Sequence, residues 1–178
     1  MMRQQKVAIR TLAFGAAIVT AASIAGFWGG LRLNLTPSYP VGIWRIEPLD
    51  REAMTGDLVF ICPPDTPAFV LGLERHYLAK GLCSGGTGPL IKTIVAVAGQ
   101  VIAIDLGVII DGTALPNSAV HSVDAEGRTL PRFAGGRVPA DFVFLHSDFG
   151  GSYDSRYFGP IPGEGILGFA LPVFVLAP

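Results

Sequence analysis

The sequence has few charged residues, and the stretch between Arg10 and Arg32 has none at all. An α-helix over residues 11–31 would be about 31 Å long, close to the hydrocarbon thickness of a bilayer. Arg3, Lys6 and Arg10 precede this stretch, whereas every acidic residue follows it. The positive-inside rule therefore predicts a transmembrane helix with a cytoplasmic N-terminus and an exported domain after it.

A cleaved signal peptide is the alternative interpretation of the same stretch. The small residues around Ser23–Ala25 offer a plausible cleavage spacing. However, the apolar core of a signal peptide is usually about 7–15 residues, which is shorter than this uncharged run. We therefore expect an anchor at residues 1–32 that stays attached to an exported domain at residues 33–178.

The sequence also lacks the basic excess that is typical of nucleic-acid-binding proteins. It has 13 Lys and Arg residues against 14 Asp and Glu residues, and three of the bases precede the uncharged stretch. A broad basic face on the exported domain is thereby excluded, and no nucleic-acid partner is predicted.

Cysteine and histidine are scarce, with two and three residues respectively. In an oxidising exported domain, the pair Cys62 and Cys83 is more often a disulfide than two free thiols. His76 lies between them, but neither the spacing nor the missing fourth ligand resembles a structural zinc motif. The sequence therefore predicts a disulfide, and it predicts neither a metal site nor a cofactor.

Beyond the uncharged stretch, short apolar runs alternate with Gly, Pro and Asp, which is a mainly β pattern. Only residues 68–79 suggest a helical period, and residues 105–107 and 111–112 have the turn chemistry of hairpins. Residues 113–140 are predicted to form a surface excursion without assigned chemistry. The candidate strands are 42–46, 58–61, 90–97, 101–104, 108–110, 142–146 and 166–176.

A serine follows the membrane exit closely, in the segment Asn34–Trp44. Pro37 and Pro40 restrict φ on both sides of Ser38 and Tyr39, which would hold the serine hydroxyl on a stiff loop. This pattern favours a pre-organised nucleophile near the bilayer surface. A proline-rich turn without a catalytic role is the alternative.

Lys92 is the one charged residue in the apolar run Pro89–Gly99. Burial disfavours the ammonium form and lowers the pKa of a lysine toward the range in which its neutral amine accepts a proton from a serine hydroxyl. The pattern is therefore that of a general base. A lysine that extends from a strand end into water is the alternative.

The segment His146–Pro160 follows an apolar strand and is rich in hydroxyl and charged side chains, as loops that frame active sites often are. His146 and Asp148 near serines raise the alternative of a Ser-His-Asp site, but no obvious nucleophile lies in a rigid turn beside them. The run Gly85–Gly88 lacks the Lys-Ser or Lys-Thr pair of a phosphate loop.

These three segments occur in the order found in type I signal peptidases, and they most resemble the TraF-type conjugative transfer signal peptidases. Cys62 and Cys83 also look like this subgroup. The resemblance is carried by Asn34, Thr36, Ser38, Pro40, Gly42 and Trp44, by Leu90, Ile91, Lys92 and Gly99, and by Ser152, Asp154, Ser155, Arg156 and Gly159.

The resemblance implies a signal-peptidase or LexA-like β-fold behind one N-terminal transmembrane helix. It implies a membrane-anchored serine endopeptidase in which Ser38 is the nucleophile and Lys92 is the general base. The substrate would be a pre-protein with small residues one and three positions before the cut, such as a conjugative prepilin. The enzyme would lie in the bacterial inner membrane with its catalytic domain in the periplasm.

Further roles are implied for the residues around this dyad. The Ser38 N–H and the Thr36 hydroxyl would form the oxyanion hole, and Ser152 would orient the lysine. Asp154 and Arg156 would pair to hold their loop. The aspartate that matches Asp154 in TraF-type enzymes is also tied to peptide cyclisation.

Three positions depart from the pattern of the wider family. Tyr39 stands where general signal peptidases have methionine, Gln100 where an acidic residue is expected, and Thr93 where a basic residue is usual. The first two favour the specialised subgroup or an altered substrate pocket. The alternatives from other classes are a non-catalytic, membrane-tethered scaffold of a pilus or secretion system and a LexA-like self-cleaving repressor, which would need a basic DNA-binding domain.

Overall fold

The computed structural model describes residues 3–176 and begins with one long helix, α1 (Arg3–Trp28). Within that range, Gln4–Trp28 is the one segment long and apolar enough for a membrane span, which is compatible with a single-pass anchor. Gly29 and Gly30 end the helix, because Gly30 adopts a φ of 80° that a side chain would disfavour. The chain therefore turns into a strand before the uncharged stretch is complete.

The domain after α1 is mainly β, as predicted. Two short helices, α2 (Pro67–Glu74) and α3 (Ser155–Phe158), interrupt the strands, and α2 overlaps the predicted helical stretch over residues 68–74. The strands are β1 (Leu31–Asn34), β2 (Gly42–Glu47), β3 (Leu58–Ile61), β4 (Leu90–Val97), β5 (Val101–Ile104), β6 (Val108–Ile110), β7 (Thr113–Ala114), β8 (Gly136–Arg137), β9 (Phe142–His146), β10 (Ile161–Pro162) and β11 (Ile166–Val175).

The strands form two antiparallel sheets. The larger sheet has seven strands in the order β1-β2-β11-β3-β4-β9-β10, and the smaller has four in the order β7-β6-β5-β8. All seven predicted strands are confirmed, with boundaries that agree within one residue. Four further strands, β1, β7, β8 and β10, were not predicted because they are short and carry little apolar alternation.

Strand β4 lies in the interior because its neighbours cover both of its faces. Ile91 belongs to a buried cluster with Trp44, Phe60 and Ala170. Ile94 belongs to a second cluster, whose members include Val59, Ile61, Leu145, Tyr153 and Tyr157. Lys92, between these two residues on β4, is buried with them, whereas Thr93 is partly buried.

Residues 113–140 extend from the smaller sheet and pack over the segment after β9. The Arg75 guanidinium donates to the Thr129 carbonyl at 2.8 Å, and the Arg156 guanidinium donates to the Ala119 carbonyl at 2.8 Å. Four of its apolar side chains are partly buried against the core: Leu115, Val120, Leu130 and Phe133. This excursion is therefore partly exposed and partly packed against the core.

The predicted disulfide between Cys62 and Cys83 is present. It joins the end of β3 to the loop that leads into β4. Gly42 marks a second close approach, because a Cβ there would lie 2.2 Å from the Phe174 carbonyl oxygen of β11. The disulfide thus fixes the chain just before β4, and the close approach at Gly42 fixes the start of β2 against β11.

Candidate active site

The loop that carries Ser38 is fastened by the side chain of Asn34. The Asn34 amide nitrogen donates to the carbonyl oxygens of Thr36, Tyr39 and Pro40 at 2.9 to 3.1 Å. The Asn34 amide oxygen accepts from the Thr36 N–H at 3.1 Å and from the Thr36 hydroxyl at 2.8 Å. One side chain thus bonds five polar groups of the loop, with one of its two N–H hydrogens shared between two carbonyls, and this fixes the path of the backbone through Ser38.

The same loop is docked on the larger sheet. The Ser147 hydroxyl, just after β9, donates to the Ser38 carbonyl at 2.7 Å. The Tyr39 hydroxyl lies 2.7 Å from the Thr93 hydroxyl on β4 and donates to the His146 carbonyl at 3.3 Å. The loop is therefore docked where β4 pairs with the end of β9, since Thr93 and His146 are register partners.

Lys92 is buried, with 4% of its surface exposed. Its Nζ donates to the Ser152 hydroxyl at 2.8 Å. Burial lowers the pKa of Lys92 from 10.5 to about 8; the Asp154 carboxylate acts in the opposite direction, and the Arg156 guanidinium lowers the pKa further. At pH 7 roughly one lysine in ten is then neutral, a far larger fraction than for a solvated lysine.

Asp154 and Arg156 form a buried ion pair behind the lysine. Both side chains have no exposed surface, and Arg156 bonds both carboxylate oxygens at 2.8 Å, through Nε and Nη2. Asp154 also accepts from the Ser147 N–H at 3.2 Å, and Arg156 donates to the Ser152 carbonyl at 3.2 Å. The pair therefore fixes the backbone that holds Ser147 and Ser152.

Two cavities meet at Ser38. The lysine cavity, of about 810 Å³, is lined by Lys92, Ser38 and Thr36, together with both cysteines and Phe27 at the end of α1. The distal cavity, of about 840 Å³, lies on the other side of Ser38. Its lining includes Tyr39, Val95, Leu115, His146 and Leu176.

The structure brings the predicted site residues together in one region. Ser38, Thr36 and Lys92 line one cavity, Ser152 bonds the lysine, and the Asp154–Arg156 pair supports the loop. Within residues 3–176 no hydrogen bond joins Ser38 to Lys92, whose Nζ donates to Ser152 instead. Catalytic hydrogen bonds are often long or poorly aligned without substrate and tighten only in the complex.

His146 is a buried strand-end residue, with 2% of its surface exposed. Burial lowers its pKa, and its Nδ1 lies 3.7 Å from the largely exposed Asp148 carboxylate. Within the described residues no serine hydroxyl bonds to its imidazole. This geometry does not support the Ser-His-Asp alternative, which needs a serine hydrogen-bonded to the histidine.

Sequence reasoning did not assign roles to three residues that hold the site. Asn34 belongs to the serine motif, but the motif alone does not show that Asn34 fastens the loop. Ser147 and Thr93 contact the serine loop, although they are far from it in the sequence. For Asn34 a signal existed, because an Asn two residues before Thr36 can bond the backbone ahead of it as an Asx turn.

Comparisons with known proteins show the family of the chain. The family pattern described as signal peptidase, peptidase S26, matches residues 3–175. A probable conjugal transfer protein TraF of Sinorhizobium fredii is 52% identical over 173 residues, which cover 95% of this chain and 92% of that protein. The conjugal transfer protein TraF of Agrobacterium fabrum is 48% identical over 174 residues, covering 98% and 99%. A plasmid transfer protein TraF of Escherichia coli is 37% identical over 165 residues, covering 89% and 90%. The chain therefore belongs to the signal peptidase family, peptidase S26, and within it to the TraF type.

Proposed function

We propose that this protein is a membrane-anchored serine endopeptidase that removes leader peptides from exported pre-proteins, with Ser38 as nucleophile and Lys92 as general base. The observation that carries the proposal is a buried lysine with a pKa near 8 that opens into the same cavity as the serine. A lysine in this state is able to accept a proton near neutral pH. A scaffold protein would have no need to bury an ammonium group without a carboxylate bonded to it.

In the first step, the neutral Lys92 amine takes the Ser38 proton as Oγ attacks the scissile carbonyl carbon. The Lys92 ammonium then gives this proton to the leaving amine, and an acyl ester on Ser38 remains. A water molecule, deprotonated by the same lysine, hydrolyses the ester. Ser152 holds the amine in place throughout, because its hydroxyl accepts a hydrogen bond from Nζ in either protonation state.

The oxyanion of the tetrahedral intermediate is bound by the Ser38 N–H and the Thr36 hydroxyl. In the structure the Thr36 hydroxyl donates to Asn34, so it rotates toward the substrate when the oxyanion forms. Asn34 keeps its bond to the Thr36 N–H during this exchange, and the loop stays fastened. The cost of the rotation is small because the hydroxyl exchanges one acceptor for a charged one.

The substrate is a pre-protein whose leader lies in the bilayer, with small residues one and three positions before the cut. The lysine cavity reaches Phe27 at the end of α1, so a leader beside α1 leaves the membrane next to the nucleophile. The relatives are named conjugal or plasmid transfer proteins, which favours the prepilin of a conjugative system as substrate. Arg3, Lys6 and Arg10 in the first turns of α1 favour a cytoplasmic N-terminus, with the catalytic domain in the periplasm.

Cyclisation of the mature chain needs a second cut, near its C-terminus, that leaves the mature chain itself as the acyl ester on Ser38. If the N-terminal amine freed by leader removal attacks this ester in place of water, a peptide bond forms, and Lys92 takes the amine proton and returns it to the Ser38 oxygen. Asp154 contributes to either outcome through the loop, because its buried carboxylate is bonded to Arg156 and Ser147.

The test is cleavage of a candidate pre-protein in proteoliposomes, with the new termini sequenced. We expect cleavage by the wild type and a loss of most activity in Ser38→Ala and in Lys92→Met. Ser122→Ala, on the exposed excursion, is the matched control and should cleave normally. Near-normal cleavage by a folded Lys92→Met enzyme would refute the dyad and favour the scaffold alternative.

A further inference from the structure

Ser38 lies on the boundary between the lysine cavity and the distal cavity. Pro37, Ser38 and Phe149 line both, so the nucleophile stands in the partition that separates them. A peptide bond attacked by Ser38 must place its acyl side in one cavity and its leaving side in the other. The two cavities therefore bind different parts of one substrate.

The direction of the substrate follows from the position of α1. Phe27, Arg32 and Leu33, at the exit of the helix, line the lysine cavity. A leader peptide that emerges from the bilayer beside α1 enters this cavity first, and its last residues reach Ser38 from that side. The chain beyond the cut then continues into the distal cavity.

We propose that the distal cavity is the binding site for the first residues after the cut and that it selects apolar side chains there, an inference that rests on the proposed function. Its walls are mostly apolar: Pro37, Pro40, Val41, Val95, Leu115, Pro116, Phe149 and Leu176. The Tyr39 and Thr93 hydroxyls are bonded to each other, so they do not require a polar partner from the substrate. At about 840 Å³ the cavity has the size of typical ligand sites.

The charged side chain in the lining of this cavity is an acidic one. The Asp148 carboxylate lines the cavity, and its side chain is 78% exposed. An acidic substrate residue would lose hydration among apolar walls and meet this carboxylate, so it is disfavoured. Apolar residues after the cut are favoured, and acidic ones are rejected.

If the distal cavity binds the substrate, part of the excursion at residues 113–140 contacts the substrate. Leu115 and Pro116, at the start of the loop that follows β7, supply one wall of the cavity. Leu115 also packs against the core cluster of the smaller sheet, which fixes its position. Part of residues 113–140 is therefore a specificity element for the substrate.

The experiment uses the full-length protein in detergent micelles and quenched fluorescent peptides with an apolar leader and alanine at one and three positions before the cut. Each of the first three positions after the cut carries Leu or Asp in turn. The wild type should prefer Leu on the order of tenfold in kcat/KM at one or more of these positions. Leu115→Ala should lower this preference to about threefold or less, because the side chain that contacts the substrate leucine is removed.

Leu130→Ala is the matched control, since Leu130 is also partly buried on the excursion but packs on the other core cluster. Its preference should equal that of the wild type. If Leu115→Ala does not fold, Leu176→Ala tests the cavity with another lining side chain, which is 59% exposed. If these variants still cleave the peptides but keep the wild-type preference for Leu over Asp after the cut, the inference is overturned. Absence of any Lys92-dependent cleavage by the wild type would instead refute the proposed function.

Discussion

Lys92→Met should make the protein inactive and more stable at neutral pH. In the folded protein the pKa of Lys92 is about 8, against a model value of 10.5 for a solvated lysine. At 1.36 kcal/mol per pH unit, holding this side chain charged at pH 7 costs about 3 kcal/mol. Methionine removes that cost and fills a similar volume. The loss of the hydrogen bond to Ser152 destabilises the variant by about 1 kcal/mol and offsets part of this gain. The net expectation is a gain of about 2 kcal/mol at pH 7.

The sign of the pH dependence makes this prediction specific. Because the folded pKa lies below the unfolded one, the unfolded chain binds the proton more tightly between pH 8 and pH 10.5. The stability of the wild type relative to Lys92→Met therefore rises across this window, and the advantage of the variant disappears toward its upper end. Below pH 8 the advantage is constant.

The assay is urea unfolding of both proteins in detergent micelles, followed by tryptophan fluorescence at pH 7 and pH 10. The difference between the two proteins is the quantity of interest, because the contributions of all other titrating groups cancel in it. A variant that is less stable than the wild type at pH 7, or a difference that does not change with pH, would refute the assignment of Lys92 as a buried amine with a depressed pKa.

Four further predictions concern the site and the fold. The kcat/KM of the wild type should rise with pH through about 8 with a slope of one proton, and Lys92→Arg should be inactive at every pH because guanidinium stays charged. The double variant Ser38→Ala, Lys92→Ala should be scarcely less active than either single variant, and additive losses measured by single-turnover cleavage would contradict a dyad. Thr36→Val should lose about 2.7–4 kcal/mol of transition-state stabilisation with KM little changed, and unaltered kcat would exclude an oxyanion role. Replacing Cys62 and Cys83 by serine should cost about 3 kcal/mol of unfolding free energy, and equal urea midpoints for the two proteins would contradict it.

The sequence was sufficient for the main strands because each one combines an apolar run with turn residues at its ends. Strand β4, for example, begins after Pro89 and ends before Gly99, and the observed bounds are the predicted ones. Strands β1 and β10 were missed because two to four residues give no usable period. The end of α1 was missed for a different reason, since hydropathy continues through Leu31 while Gly29 and Gly30 end the helix.

The candidate site was predictable in its members but not in its contacts. The single lysine of β4 and the proline-flanked serine were recognised from local pattern, and the resemblance supplied their roles. The Lys92–Ser152 bond joins residues 60 apart, and the Ser147–Ser38 bond joins residues 109 apart. Such pairs depend on strand order in the larger sheet, which local periodicity does not encode. The division into two cavities by Ser38 depends on the same long-range arrangement.

The disulfide makes the lysine cavity depend on the compartment in which the domain lies. Cys62 and Cys83 both line the lysine cavity, and their bond ties the end of β3 to the loop before β4. With the topology proposed above, this bond forms only after the domain has left the reducing cytoplasm. A newly made chain thus reaches the bilayer with one wall of its substrate pocket still unsecured. With that topology, oxidation would act as a maturation step and would complete the proposed peptidase in the compartment where its proposed substrates are delivered.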